Sequence, residues 1–277
     1  MQYIDKSTHR IEGHQIIDSF LESSWIAQNR EYSNFDYDNG LRIRKIILPG
    51  NQDISYYSSL KLVILQNQNN YCCYCMKEIS DADTTLEHII PHKTKTQDKF
   101  NQYIGIGFDE LDRYVIFRVN FDRFTYRATH PQYPHDIAYY NLVASCKSNV
   151  HCNHERGSKF LKPLFYDRNI QNKVSYDQEG RAFAEAYENE LAILKISTNN
   201  NLIVYRRIWN ELANVDLYPN PTSDDNINAA ILKVALSRND TELILNNFWD
   251  QNRNLIPTKK DDLMKYKWFL TYFNLNM

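Results

Sequence analysis

The chain has 277 residues, 43% hydrophobic and 24% charged, a balance that suits a soluble globular protein of one large domain or two small ones. A net charge of -2 excludes a protein that is basic throughout, so any nucleic-acid site has to be a local basic patch. No run approaches the length of an apolar membrane span, and the polar opening MQYIDKSTHRIEG does not read as a secretory signal. The expectation is a cytoplasmic protein with no membrane segment, in which a cysteine pair binds metal or is redox-active rather than forming a disulfide.

In chain order, residues 17 to 25 (IDSFLESSW) read as a short helix. Residues 42 to 48 (RIRKIIL) read as a strand or basic arm, stopped by Pro49 and Gly50. Residues 54 to 66 carry Leu60, Val63 and Ile64 at helical spacing and lead into the cysteine-rich stretch YCCYCMKEI. TLEHIIPH (85 to 92) reads as a strand that turns to loop at Pro91, YVIFRVNF (114 to 121) as a strand, and IAYYNLVASC (137 to 146) as a strand or turn. Residues 173 to 184 suggest a hairpin around Gln178-Glu179-Gly180, and residues 188 to 212 suggest helix. A linker centred on Pro219 and Pro221 follows. Two helices are expected near 226 to 237 and 240 to 250, and a last one begins near Thr258, where Thr258-x-x-Asp261 resembles a capping box.

The five cysteines carry the chemistry. Cys72 and Cys75 have C-x-x-C spacing, and Cys146 and Cys152 form a second, wider pair. Zinc takes four soft ligands in a tetrahedron, with Zn–S near ~2.3 Å, and two pairs that meet in space supply them. Cys73 is expected to point away from the metal. A redox role would need a strand before C-x-x-C, whereas a helix is expected there. His151, beside Cys152, stays open as a substitute zinc ligand.

Between the pairs stand Glu87-His88-Ile-Ile-Pro91, Asn141-Leu142 before Cys146, and Cys152-Asn153 followed by Arg156-Gly157. Together with the C-x-x-C knuckle, these elements in this order resemble the HNH (ββα-metal) endonuclease family across about residues 70 to 160. The resemblance implies an α+β fold: a zinc-bound ββα-metal finger embedded in a mainly helical chain. It divides the chain into an N-terminal helical, partner-binding region (1–66), a nuclease core (67–165) with an insertion at 93–138, and a mainly helical C-terminal region (166–277). It also implies catalytic His88, Glu87, Asn141 and Asn153. His88 would be the general base, oriented by Asn141. Glu87 and Asn153 would hold a hard divalent cation, Mg²⁺ or Mn²⁺, with His154 open as an alternative to Asn153. Cys72, Cys75, Cys146 and Cys152 would hold a structural zinc. An imidazole titrating near ~6.5 suits proton removal from water at neutral pH, and a hard cation suits oxygen ligands and phosphate charge.

Arg156, Lys159 and Lys147 are the expected substrate contacts, with Lys162 and Arg168 nearby and His92 as a surface residue or phosphate contact. DNA is the substrate the resemblance implies. The long span from His88 to Asn141, the widened second cysteine pair and the stretch NNNLIVYRR (199 to 207) resemble, more loosely, HNH subunits of bacterial anti-phage systems of the Septu type, which also accompany some retrons. That implies an ABC/SMC-like ATPase partner, with a retron reverse transcriptase and its nucleic acid as further possible company. The first 50 residues and the helices after 226 are candidates to bind it. No Walker motif occurs in the chain, so nucleotide control would act in trans. Two rival readings remain: a zinc-stabilised binding or scaffold module that does not cut, and a stand-alone modification-dependent restriction enzyme.

Overall fold

A computed structural model describes residues 1–23, 36–47, 53–121, 132–213 and 260–275. The chain is α+β, with helices and four two-stranded sheets among the described residues. It divides into two compact units. One comprises Met1–Tyr74 and Ile79–Gln171, and the other comprises Cys75–Glu78 and Asn172–Met277. Residues 1–66 thus share a unit with most of the Cys–His region.

In the first unit, α1 (Arg10–Leu21) buries Ile17, Phe20 and Leu21. Gly13 sits where an added Cβ would collide with the Tyr139 ring, so glycine lets this helix lie close against the aromatic core. A single π-helical turn, Tyr37–Leu41, is started by the Asp36 side chain, which accepts from the Asn39 amide at 3.0 Å. β1 (Lys45–Ile47) and β2 (Asp53–Ser55) form a small antiparallel ladder. α2 (Tyr56–Asn67) begins at Ser55, whose hydroxyl accepts from Ser58 N at 3.0 Å. It buries Leu60, Ile64 and Leu65, and it packs against α1.

β3 (Thr84–His88) follows, then short helices α3 (Gln97–Asn101) and α4 (Asp109–Tyr114). The strand expected over 114 to 121 shrinks to β4 (Val115–Ile116), succeeded by a 3-10 turn at Arg118–Asn120. Its partner β5 is only Tyr133–Pro134, and proline has no N–H for the ladder, so the pairing ends there. A 3-10 turn at Tyr139–Asn141 leads into β6 (Leu142–Cys146), which is buried along its whole length and pairs antiparallel with β3. The register sets Glu87 opposite Val143 and His88 opposite Leu142. α5 (Asn153–Arg156) is a single turn, and α6 (Ile170–Lys173) ends this region.

The second unit holds the expected hairpin: β7 (Ser175–Tyr176) against β8 (Ala182–Phe183). Gly180 has φ +85° in its turn, and a Cβ there would meet the backbone around Ile203 and Arg207. α7 (Glu188–Ile193) and α8 (Asn200–Ala213) divide what the sequence offers as one helical stretch, and Lys195 between them takes φ 53°. α9 (Lys260–Met264) precedes α10 (Trp268–Leu275), which packs on α8. Buried Arg206 lies over the Tyr176 and Phe269 rings at 5.0 and 5.4 Å, and its Nη1 donates to Ile196 O at 2.8 Å. Trp25, the stop at Pro49–Gly50, residues 122 to 130, the linker near 219, the helices at 226 to 237 and 240 to 250, and Thr258 lie outside the described residues.

Candidate metal centre and active-site cleft

All five cysteines are reduced and buried. The sulfurs of Cys72, Cys75, Cys146 and Cys152 all lie within 4.8 Å of one another, and Cys72 and Cys152 are 3.9 Å apart. Four thiolates at the corners of a tetrahedron with Zn–S of ~2.3 Å stand about 3.8 Å apart, so the donor set suits a structural zinc. Local hydrogen bonds explain the convergence. Gln68, at the end of α2, inserts its amide beside β6: Oε1 accepts from Ala144 N at 2.8 Å and Nε2 donates to Ala144 O at 2.9 Å. Cys73 N also donates to Ala144 O, at 3.1 Å, so the knuckle is laid along the strand that ends in Cys146. The Cys146 amide points at Cys72 Sγ at 3.4 Å, the orientation that favours a thiolate.

Cys73 lies outside the four-sulfur set, and burial pushes its thiol well above the ordinary range. His151 approaches Cys152 through Nδ1 at 3.0 Å, beside a set of four cysteines that is complete without it. Cys152 itself holds φ 60° and ψ -133°, and Met76, next to Cys75, holds φ 60°. Side-chain-bearing residues in such regions cost on the order of 1–3 kcal/mol each and persist where the surroundings dictate them, here at and beside the clustered cysteines.

β3 and α5 border a cleft of about 430 Å³, lined by Glu87, His88 and Asn153 among others. His88 is 8% exposed. Its Nε2 lies 2.8 Å from Asp136 O, and a carbonyl can only accept, so this nitrogen carries the proton and Nδ1 keeps the lone pair. Burial, helped by His92, pulls the His88 pKa down to about 3, below the ~6.5 expected of the base, so the ring is neutral at physiological pH but a weaker proton acceptor than the sequence suggested. Tyr37 meets it edge-on at 4.5 Å.

Asn141 was expected to hold the His88 ring, and it does something else. Its Oδ1 accepts from Ile90 N at 2.7 Å, and its Nδ2 donates to Ile90 O at 2.8 Å and to His135 O. It fixes the backbone leaving β3, and the ring is held by the Asp136 carbonyl instead. Arg156 was expected on the substrate. It is 2% exposed, paired with the Glu87 carboxylate, and Nη1 also donates to His88 O at 2.6 Å. Burial pushes the Glu87 carboxyl upward and Arg156 pulls it back.

Asn153 reaches the cleft from the first position of α5, whereas its neighbour His154 is exposed. Lys159, Lys162 and Arg168 are exposed, and Lys147 Nζ donates to Ala82 O at 2.5 Å. Sequence reasoning missed Tyr37, Asp38, Arg42 and Tyr57, which line the cleft from the N-terminal region, and Asp136, which lies in the presumed insertion. No spacing rule links them to His88.

No family model matches the chain, and neither a curated protein nor a solved structure matches it. Among the described residues no helix is long and apolar enough to cross a membrane.

Proposed function

We propose that the protein is a zinc-stabilised HNH endonuclease that hydrolyses phosphodiester bonds of DNA. The observation that carries this reading is His88: a neutral imidazole with Nε2–H fixed on a carbonyl, lining one cleft with Glu87 and Asn153. Such a ring takes a proton from water through Nδ1. The hydroxide equivalent attacks phosphorus, one P–O ester bond breaks, and the leaving oxygen acquires a proton from solvent. The products are a phosphate monoester and an alcohol. Orientation is supplied by Asp136 for the ring and by Asn141 for the backbone beneath it.

A hard divalent cation, Mg²⁺ or Mn²⁺, would be held by Glu87 and Asn153. The fit rests on Glu87, whose Oε1 meets Arg156 while buried Oε2 has no hydrogen-bond partner among the described residues. When bound, such a cation supplies charge neutralisation for the phosphate and the leaving oxygen. Ligating carboxylates are commonly steadied by a second partner, and Arg156 stands in that position. The zinc is structural in this reading. The looser resemblance adds an ATPase partner of an anti-phage complex, and co-purification from the native operon tests that part.

The central test is nicking of supercoiled plasmid with Mg²⁺ or Mn²⁺ by the wild-type chain and by His88→Ala, with zinc content and circular dichroism checked for both. Cleavage lost by about 10²-fold or more in the variant supports the assignment. Equal cleavage removes His88 as the base, and no cleavage by either chain, alone or with its ATPase, favours the scaffold reading.

A further inference from the structure

The cleft has a second wall that the proposed mechanism does not use. Pro91 to Thr94 form a tight turn closed by Thr94 N donating to Pro91 O at 2.9 Å, with Thr94 buried. His92 and Lys93 therefore occupy the two corner positions, and both line the cleft. Facing them is the π-helical turn with Asp38 and, just after it, Arg42. One carboxylate serves two basic groups: Asp38 Oδ2 is 3.3 Å from His92 Nε2, and Oδ1 is 3.9 Å from Arg42 Nη1.

The turn is held in place from several sides. Tyr37 N donates to the Asp136 carboxylate at 3.3 Å, and Asp36 pairs with Arg118 at 3.7 Å. Tyr37 also touches the rings of both His88 and His92, which stand 4.9 Å apart. π-helical turns are rare and are frequently found at functional sites.

We propose that Arg42, His92 and Lys93 form a phosphate-binding subsite beside His88, with Asp38 as their positioning residue. It rests on the nuclease reading for its ligand, a strand of nucleic acid, although the recognised chemistry is phosphate itself. The Asp38–Arg42 pair is long and its arginine side chain is 62% exposed, so as an ion pair it adds little to stability. A guanidinium carries five N–H donors, Asp38 meets it on one nitrogen, and the side chain lines the cleft. A phosphate arriving at His92 from the side opposite Asp38 would meet an imidazole whose pKa burial holds below its ordinary value and Asp38 pulls partly back up. The subsite also takes over the substrate-binding role expected of Arg156, which is buried.

The test uses the full chain carrying His88→Ala. Fluorescence anisotropy reads binding of a labelled oligonucleotide duplex across a salt series, and ¹⁵N-resolved imidazole spectra read inorganic phosphate binding. Arg42→Ala and Lys93→Ala are each expected to weaken duplex binding about tenfold and lower the salt slope by about one. Lys173→Ala, exposed at the end of α6, is the surface control and should change neither. Phosphate should shift the His92 resonances, and Asp38→Asn should abolish that shift with the circular dichroism spectrum unchanged.

Duplex binding that is indifferent to Arg42 and Lys93 overturns the subsite and leaves the nuclease reading standing. A phosphate shift at His92 without duplex binding supports the subsite and removes nucleic acid as its ligand. Neither signal overturns both.

Discussion

Replacing Arg156 by Met separates a buried structural cation from a phosphate contact. The guanidinium pairs with Glu87, donates to the His88 carbonyl and, through Nη2, to Ile89 O at 2.5 Å. Removing it strands a buried carboxylate, which escapes by protonation. Starting from an ordinary carboxyl value of 4.5, that escape caps the charge penalty at pH 7 at about 3.4 kcal/mol, at about 1.4 kcal/mol per pH unit. Two carbonyls losing their donors add about 1–3 kcal/mol apiece. The expected destabilisation is therefore about 5–9 kcal/mol, at or above the top of the range for breaking a buried pair.

The sign with pH follows from the raised Glu87 value. In Arg156→Met the folded state favours the protonated acid, so the penalty shrinks by up to about 1.4 kcal/mol per unit as pH falls from 7 towards 4.5. Urea unfolding by far-ultraviolet circular dichroism at pH 7 and 6, with amide exchange over β3 and β6, measures both quantities. Glu87→Leu in the Arg156→Met background should recover most of the charge part. A loss below 1 kcal/mol with sharply weaker DNA binding would refute the buried-pair argument and return Arg156 to the substrate.

Two further outcomes are expected. The chain should bind about one zinc, and Cys146→Ser should remove it and lower the melting temperature by about 10 °C or more, since structural zinc contributes of order 10 kcal/mol to such folds; elemental analysis with calorimetry checks this, and a metal-free chain of full stability would dismiss the site. Acid should unfold the protein early: burial holds both His88 and His135 to pKa values of about 3, against 6.5 in the unfolded chain. Their contribution is complete above pH 6.5 and is lost as pH falls from 6.5 towards 3, at about 1.4 kcal/mol per unit for each ring, so a urea midpoint that stays flat between pH 7 and 5 would contradict it.

The parts of this site that the sequence makes legible are those with a local rule. C-x-x-C spacing marks half of a four-sulfur centre, and an apolar run before Cys146 marks the strand that carries the other half. What stays hidden obeys no periodicity. α5 is one turn long, too short for a helical pattern to reveal that Arg156 turns inward while His154 stays outside. Asp136 acts on His88 through a backbone carbonyl, a group every residue possesses, so its identity carries no signal for that contact. Asp38 meets His92 across a long sequence separation, and only the folded turn brings them to 3.3 Å.

One consequence of strand geometry ties these pieces together. Adjacent residues in a strand point to opposite faces, so Glu87 and His88 should not share a cleft. Glu87 does turn towards Arg156 while His88 turns towards Tyr37 and Asp136. They line one space because β3 stops at His88 and the chain bends immediately, with Ile89 N held by Asn141 O at 2.9 Å and both polar groups of Ile90 held by the Asn141 side chain. Asn141 is therefore the residue that converts an alternating strand into a corner presenting an acid and an imidazole to the same opening. Its place directly before β6, the strand paired with β3, makes that corner a property of the strand pair itself.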